Sequence, residues 1–183
     1  MKIKRLEEKI VLPEGVTAVI DEETLTLNGQ KGQVSKLFRD VFIKMNVEGN
    51  NISIFAENAT KRQKRMIGTF KSHVKNMIKG VKDGFTYKLK ICSGHFPMNV
   101  TFNNGEFSIK NFIGEKIPRT LKVPQAVNVK IEGNDIVVVS PDKELAGQTA
   151  GSIEGLTRRP GFDTRIFQSG IYITEKAGKD IKG

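Results

Sequence analysis

The sequence predicts an α+β fold built from two tandem duplicated domains, each an antiparallel β-sheet packed around one α-helix. One observation is a repeat, because the segment Glu48–Ile52 returns as Glu132–Ile136 about 84 residues later. Another is period-two alternation of apolar and polar residues between turns rich in Gly and Asn, which is typical of strands in hairpins. In each copy the strands come mainly before a single helical segment, an order that favours antiparallel sheets over a parallel βαβ arrangement.

Further matches follow the same order along the chain. Gly68 corresponds to Gly151, and the alternating runs that precede the helix in each copy keep nearly the same offset. Several ordered matches indicate duplication of a unit of about 80 to 90 residues. We therefore predict a first repeat over residues 1–82, a second over 83–174 and a short flexible basic tail over 175–183.

The predicted helix of the first repeat runs from about Thr60 to Gly80, with Asn58 or Thr60 as its N-cap. A strand with alternating apolar residues, Phe85–Ile91, follows it. The strands predicted before this helix are Thr17–Ile20, Thr24–Asn28, Val41–Val47 and Ile52–Ala56.

The second repeat has the same order. Its helix is predicted from about Lys143 to Thr157, with Asp142 as N-cap and Pro160–Gly161 as the stop, and a strand over Ile171–Ile173 closes the unit. The strands predicted before the helix are Asn99–Phe102, Glu106–Lys110, Ala126–Ile131 and Ile136–Ser140.

Composition limits the classes of function. The chain has 183 residues, 30 Lys and Arg against 20 Asp and Glu, and a net charge of +10. This surplus favours an acidic partner, nucleic acid before an anionic membrane surface. An uninterrupted apolar stretch of about 18 residues is missing, so we expect no membrane span. The one cysteine, Cys92, fits a reducing, cytoplasmic compartment rather than a disulfide framework.

The first helix carries most of the charge. Apolar residues from Met66 to Val81 share one sector of the helix, and lysines fill the sector roughly opposite. The candidate RNA-binding residues here are Lys61, Arg62, Lys64, Arg65, Lys71, Lys75 and Lys79. Such a row can follow a line of phosphates. The alternative is an ordinary solvated face, but those faces usually interleave glutamate, and the row contains no acid. The apolar face holds a single aromatic residue, which disfavours a membrane surface.

The second helix has a predicted core stripe of Leu145, Thr149, Ile153 and Leu156. Three glycines, Gly147, Gly151 and Gly155, recur on its far side with i,i+4 spacing. A helix-interior glycine costs about 1 kcal/mol relative to alanine, so the stripe needs a reason. One reading is close approach of an RNA backbone, with Gln148 and Ser152 as neutral hydrogen-bonding groups. The other is tight packing within the chain, and the sequence leaves both open.

The segment after this helix, residues 158–170, combines arginines with aromatic residues. Arg158, Arg159 and Arg165 suit forked phosphate contacts, and Phe162 and Phe167 suit stacking on bases. The alternative is an ordinary loop whose Phe162 or Phe167 fills the core, and we expect at least one of them to do so.

The sequence does not contain the sets of residues that an enzyme of a familiar class would need. Cys92 and His95 stand three residues apart and could form a nucleophile pair or half a metal site, but no second Cys/His pair completes a zinc site. His73 lies among the helix lysines. Glycine-rich phosphate loops and dinucleotide fingerprints are absent, so we predict no enzyme and no cofactor or metal.

Several segments resemble the large-subunit ribosomal protein L-six family in its archaeal and eukaryotic form. They are Leu12–Val16, Leu27–Gly32, Gly94–Val100, Asn111–Lys116, Asp142–Ala150 and Asp163–Tyr172, which together span nearly the whole chain in the family's order. The resemblance implies a structural protein of the large ribosomal subunit, seated on its ribosomal RNA near the factor-binding region and the sarcin–ricin stem.

The resemblance also implies that the second domain and the carboxyl tail make much of the RNA contact. It favours Gly147, Gln148, Gly151, Ser152, Arg158, Arg159, Arg165, Lys176 and Lys179. Charge alone points instead to the first helix. The implied partners are large-subunit ribosomal RNA and neighbouring ribosomal proteins, with one copy per ribosome and no membrane. The alternative is a free RNA-binding chaperone or translational regulator that acts off the ribosome.

Overall fold

The computed structural model describes residues 3–94, 96–163 and 165–181. The chain divides into two compact units, Met1–Gly84 and Phe85–Gly183. The sequence places the boundary two residues earlier. In the described residues each unit has antiparallel sheets and one α-helix, so the predicted α+β class with two tandem copies is confirmed.

Unit 1 contains two three-stranded sheets and the long helix α1. The nine-residue strand β6 lies at the centre of one sheet, in the order β1-β6-β5, and the other sheet has the order β2-β3-β4. The elements are β1 (Ile3–Val11), β2 (Thr17–Asp21), β3 (Thr24–Gly29), β4 (Gly32–Leu37), β5 (Ile43–Glu48), β6 (Asn51–Ala59) and α1 (Lys61–Asp83).

The core of unit 1 lies between these sheets and α1. Alternate residues of β6, such as Ile52 and Ile54, are fully buried, as are Leu25 and Leu27 of β3 and Val74 of α1. Alternation buries every second side chain of a strand, so one face of each sheet supplies the core. This arrangement fixes which face of α1 remains outside.

Unit 2 repeats the plan with additions. Its larger sheet has the order β11-β12-β7-β13-β14, and its smaller sheet the order β10-β9-β8. The elements are β7 (Phe85–Cys92), β8 (Asn99–Asn103), β9 (Glu106–Lys110), β10 (Arg119–Lys122), β11 (Asn128–Glu132), β12 (Asp135–Ser140), α2 (Lys143–Leu156), β13 (Gly170–Lys176) and β14 (Lys179–Asp180).

The strand over 85–91 lies after the predicted boundary at residue 82 and belongs to unit 2. It is the central strand of the larger sheet of unit 2, paired with β12 and β13. It begins unit 2 as β1 begins unit 1. The sequence missed β1, β4 and β10, because these strands bury at most one side chain each and therefore carry little hydrophobic alternation.

The carboxyl-terminal residues also differ from the flexible tail expected over 175–183. Glu175 and Lys176 end β13, and Lys179 and Asp180 pair with them antiparallel. The chain reverses at Ala177 and Gly178, whose φ angles of 51° and 79° are both in the left-handed region. Residues 182 and 183 lie outside the described residues.

Candidate nucleic-acid interface

Helix α1 begins with a complete cap. The Thr60 side chain accepts a hydrogen bond from the Arg62 backbone N–H, and the Gln63 side chain accepts one from the Thr60 backbone N–H. This reciprocal pair satisfies two of the donors that every helix start leaves free. Thr60 rather than Asn58 is thus the N-cap, and the helix extends to Asp83, three residues beyond the predicted end.

One face of α1 is buried and the other is cationic. Ile67, Phe70, Val74, Met77 and Val81 are buried, whereas Met66 and Ile78, both predicted for the core, are only partly covered. The core face therefore lies close to the predicted sector. The basic residues exposed on the rest of the helix are Lys61, Arg62, Lys64, Arg65, Lys75, Lys79 and Lys82.

This face, named the lysine face, retains most of its charge for a partner. In the part of the chain that the structure describes, the side chains of Lys61, Lys64, Arg65 and Lys75 make no ion pair. Like charges three or four residues apart on a helix repel each other by a few tenths of a kcal/mol per pair. A line of phosphates would replace that repulsion with attraction.

Lys71 differs from the other lysines. Its Nζ donates to Glu8 Oε2 of β1 at 2.7 Å, and the two side chains are 33% and 40% exposed. Glu8 lies on β1, far from Lys71 in the sequence, so the spacing of charges along the helix does not reveal this pair. Lys71 is therefore partly neutralised within unit 1.

Helix α2 is shorter and differently oriented from the prediction. Asp142 caps it by accepting from the Glu144 N–H at 2.8 Å, as expected, and it ends at Leu156, with Thr157 as the C-cap. Its buried residues are Ala146, Thr149, Ala150 and Ile153, while Leu145 and Leu156 are partly exposed. Two alanines at the core allow the helix to approach the sheet closely, and this rotates the outward face away from the predicted one.

The rotation separates the three glycines. A Cβ on Gly147 would lie 3.0 Å from the Tyr87 hydroxyl of β7, so this glycine packs within unit 2. A Cβ on Gly151 or Gly155 would meet nothing within 4 Å. Gly147 thus follows the packing reading. Gly151 and Gly155 leave an open helix surface, and close approach of an RNA backbone there stays a prediction.

A groove of about 590 Å³ follows this open surface to the end of α2. We name it the α2 groove. Gly151 and Gly155 line one side, and Arg158, Arg159 and Phe162 line another. The Arg159 guanidinium lies 4.0 Å from the centroid of the Phe162 ring, which meets Phe167 edge-on with centroids 5.0 Å apart. Cation–π contact favours this position of Arg159 at the groove wall. Phe162 and Phe167 are 38% and 47% exposed, so the expectation that one of them fills the core is wrong.

Arg119 supports the same region and was not recognised in the sequence. Its guanidinium makes two hydrogen bonds to Glu115, at 2.7 and 2.6 Å, lies over the Phe112 ring and donates to the Leu156 carbonyl at the end of α2. The hydrogen bonds from Arg119 lower the pKa of the Glu115 carboxyl. An isolated arginine has no local signature, so only the fold reveals this role.

The Arg165 side chain pairs with Asp163 rather than with residues of the α2 groove. Its guanidinium lies 2.7 Å from Asp163 Oδ2, and this pairing lowers the pKa of Asp163 and raises that of Arg165. The arginine side chain is 88% exposed. Arg165 therefore offers an outward donor surface whose charge is locally balanced.

The remaining candidates lie at the surface of unit 2. Gln148 is exposed and Ser152 half-buried on α2, Arg158 is exposed, and Lys176 and Lys179 face each other across the terminal hairpin. The candidates thus belong to separate groups: the lysine face, the α2 groove with its neighbouring polar residues, and the hairpin lysines.

Comparison with known proteins decides the family. The profile of ribosomal protein L6 matches residues 12–84 and 96–170, one match in each unit. The chain belongs to the ribosomal protein L6 family. It is 44% identical over 96% of its length to large ribosomal subunit protein uL6 of Methanosarcina mazei, and 46% identical over 95% to that of Methanococcus vannielii. These alignments cover 99% and 96% of the relatives.

A third relative extends the coverage. The uL6 protein of Nanoarchaeum equitans is 42% identical over 99% of this chain and 98% of its own length. Identity at this level over nearly the whole length confirms the resemblance to the archaeal form of the ribosomal protein L6 family.

Membership of the ribosomal protein L6 family, which is structural, also confirms that the chain is not an enzyme. Cys92 is half-buried, and His95 lies outside the described residues. Among residues 3–94, 96–163 and 165–181, no three His, Cys, Asp or Glu side chains form a group suited to a metal ion. His73 is half-buried on α1, with its ring edge-on to Phe38 at 6.4 Å. Neither helix is both long and apolar enough to cross a membrane, as far as the described residues extend.

Proposed function

We propose that this chain is a structural constituent of the large ribosomal subunit. In this proposal it binds large-subunit ribosomal RNA near the factor-binding region and the sarcin–ricin stem and stabilises the fold of that RNA. Membership of the ribosomal protein L6 family and nearly full-length identity to proteins named as large-subunit components support the proposal. It would act as one copy per ribosome, in the cytoplasm, beside neighbouring ribosomal proteins.

The two units would contact RNA through different physics. Within the described residues, Lys61, Lys64, Arg65 and Lys75 of the lysine face make no ion pair, and such a row of charges neutralises phosphates regardless of base sequence. The α2 groove offers open helix backbone at Gly151 and Gly155 beside Arg158 and beside Arg159, which stacks on Phe162. A groove of that kind selects the shape of a folded RNA backbone.

The lysine face is the observation that most strongly supports RNA binding. Replacing Lys61, Lys64 and Lys75 by Gln would remove three phosphate contacts, and the negative slope of log K against log salt should become shallower by about two. Filter binding of the variant to large-subunit RNA between low and raised salt measures this slope. Replacing Lys90, Lys122 and Lys130 of unit 2, also exposed, is the matched control. Equal slopes in both variants would contradict a specific role for α1.

Sedimentation of tagged protein in cell extract tests the ribosomal role. A stoichiometric fraction that remains with the large subunit at raised salt supports a seat held by shape as well as charge. Material confined to the light fractions would instead identify a free RNA-binding chaperone or regulator, which is the second candidate because the lysine face alone suffices for it.

Gly151 separates these two functions. Gly151→Glu and Gly151→Gln both fill the open surface, and neither should disturb folding because the surrounding space is empty. If shape governs the seat, both variants lose the large-subunit peak while the lysine face still binds RNA. Loss in the glutamate variant alone would indicate charge repulsion, and normal seating of both would contradict a close approach at α2.

A further inference from the structure

Unit 1 has a second surface, away from the charged part of α1 and made of different chemistry. A hollow of about 360 Å³ and another of about 440 Å³ share Ile20, Met45 and Asn46 and so form one continuous groove between β2 and β5. We name it the β2–β5 groove. Leu25 and Ile43 lie buried at its floor, and Ile20 and Met45 are only partly covered. The core of unit 1 is thus open along this side.

Both walls of this groove are sheet edges. In the described part of the chain β2 pairs with β3 alone and β5 pairs with β6 alone, so each keeps one side of its backbone donors and acceptors available. Unpaired edges attract an extended segment that completes the ladder. The geometry therefore fits an extended polypeptide better than a helix.

Exposed apolar side chains accompany the groove. Val41, at its wall, is 89% exposed, Phe42 is 62% exposed, and Val19 on β2 is 56% exposed. These are large values for apolar residues that lie close together on one small unit. Covering them would stabilise a complex by the area removed from water.

The charge around the groove excludes RNA as its occupant. Four acids line it: Glu22, Glu23, Asp40 and Glu48. Lys44 is the one basic residue among the described lining residues, and Arg39 outside the lining lies 3.7 Å from Glu23. This local surplus of acid, on a chain of charge +10, repels phosphate and attracts lysine or arginine.

Comparison with unit 2 shows that the fold does not require these acids. Glu22 and Glu23 form the two-residue loop between β2 and β3, and the same loop between β8 and β9 is Asn104 and Gly105. Glu22 and Asn104 share a φ of 52°. Asparagine and glycine tolerate such positive φ values, whereas glutamate is disfavoured there. A less suitable residue therefore occupies the tip of unit 1.

We propose that the β2–β5 groove binds an extended, basic and apolar segment of a neighbouring protein. The segment adds its backbone to the edge of β2 or β5, places apolar side chains over Ile20 and Met45 and pairs its lysines or arginines with Glu22 and Glu23. This inference rests on the proposed seat in the large subunit, since that seat brings the partner within reach. It assigns the two faces of unit 1 to different partners, RNA at α1 and protein at the groove.

Site-specific photo-cross-linking in purified large subunits tests the proposal. Benzoylphenylalanine placed at Val41 reports on the groove, and the same probe placed at Lys75 reports on the lysine face. We expect the Val41 probe to attach to a lysine- or arginine-rich peptide of another protein and the Lys75 probe to attach to RNA. Attachment of the Val41 probe to RNA, to this chain alone or to nothing overturns the proposal.

A loop exchange makes the test specific for charge. The double variant Glu22→Asn, Glu23→Gly carries the loop residues of unit 2. Asparagine suits the positive φ of residue 22, but residue 23 has no positive φ and glycine there costs chain entropy, so the melting temperature should stay close to that of the wild type. Cross-linking from position 41 should nevertheless fall by about fivefold, because the loop carboxylates are lost. The matched control, Glu132→Gln with Asp135→Asn, removes the same charge from a hairpin of unit 2 and should leave the yield unchanged.

The outcomes separate this inference from the proposed function. If the Lys75 probe attaches to RNA but the loop exchange leaves the Val41 cross-link unchanged, the groove inference fails while the ribosomal role stands. If the chain does not sediment with the large subunit, the proposed function fails, and the Val41 probe has no large-subunit neighbour to label.

Discussion

The carboxyl ends of α1 and α2 are secured by different means in the two units. In unit 1 the backbone N–H of Lys31 donates to the Val81 carbonyl at 2.9 Å, because the β3–β4 turn approaches closely at Gly29. In unit 2 the Arg119 side chain of β10 reaches the Leu156 carbonyl. Both satisfy carbonyls that a helix end leaves without partners. Duplication has kept the requirement and changed the residue that meets it.

The outward faces of the two helices have diverged further. Helix α1 carries the lysine face, whereas α2 has no basic residue in its last turn and exposes Gly151 and Gly155. Yet Gly68 and Gly151, which correspond in the repeat, are both surrounded by open space. Inward positions are constrained by packing and outward ones by partners, so the proposed RNA contacts would depend on charge in unit 1 and on shape in unit 2.

Gly29→Ala should have the largest effect. It tests the backbone contact that secures the carboxyl end of α1 in unit 1. Its Cβ would lie 2.6 Å from the Val81 carbonyl oxygen, which belongs to a helix that cannot easily move. We expect a loss of about 3 kcal/mol in the free energy of unfolding of unit 1. Denaturant unfolding measures it, with the exposed neighbour Asn28→Ala as control. Unfolding equal to the wild type would show that the turn and helix separate freely.

Arg119→Ala tests the side-chain contact that secures the carboxyl end of α2 in unit 2. The change removes the helix-end hydrogen bond, the Glu115 pair and the contact with Phe112, so we expect a loss of about 2 kcal/mol at neutral pH. Arg119→Lys keeps the charge but not the fork and should lose more than half of this. A wild-type-like Lys variant would reduce the role of Arg119 to simple charge.

The same pair predicts a pH dependence. Folding lowers the pKa of Glu115 below its ordinary value of 4.5, so the pair's stabilisation is present above that value and is lost as the pH falls through the lowered pKa. The difference between wild type and Arg119→Ala should therefore shrink at about pH 3. Denaturant unfolding at both pH values checks this. A constant difference would assign the effect to the helix carbonyl and Phe112.

Strong periodicity made much of the fold predictable. Helix α1 and the buried strands β3 and β6 carry regular apolar spacing, and Asp142 and Thr60 are good caps, so these elements follow from the residues. Edge strands such as β1 and β10 bury little and depend on long-range pairing for their conformation. Local sequence carries little record of such pairing.

The candidate site was less predictable for a related reason. The lysine face follows from helical spacing, but the Lys71–Glu8 pair joins residues far apart in sequence. The orientation of α2 depends on the burial of Ala146 and Ala150, small residues that an apolar-stripe argument undervalues. Which glycine packs and which remains open was therefore decided by tertiary contact with Tyr87.

Paired alanine substitutions sharpen the contrast between the helices. Gly68→Ala and Gly151→Ala meet no neighbouring atoms within 4 Å, so each should raise the free energy of unfolding by about 0.5 to 1 kcal/mol through helix propensity. Denaturant unfolding of the free protein measures both. If open glycines serve close approach only at α2, the Gly151 variant alone loses large-subunit association at raised salt. Equal loss in both would extend shape selection to unit 1.

Lys71→Met and Lys75→Met have the smallest expected effects. They distinguish a lysine that stabilises the fold from a lysine that is proposed to bind RNA on the same helix. The Lys71–Glu8 pair is partly exposed, so its loss should cost about 0.5 kcal/mol of stability. Lys75 pairs with no acid in the described chain, and its removal should leave stability unchanged or slightly higher, because repulsion from neighbouring lysines is relieved.

RNA binding should show the reverse order. Lys75→Met should make the negative slope of log K against log salt shallower by about 0.7 to 0.9, the value for one phosphate contact. Lys71→Met should change the slope by less, because Glu8 already neutralises that lysine. A double-mutant cycle with Glu8→Gln isolates the ion pair from other losses. If Lys71 and Lys75 change the slope equally, RNA displaces Glu8 on binding, and the lysine face is then one charge larger in the complex than in the free protein.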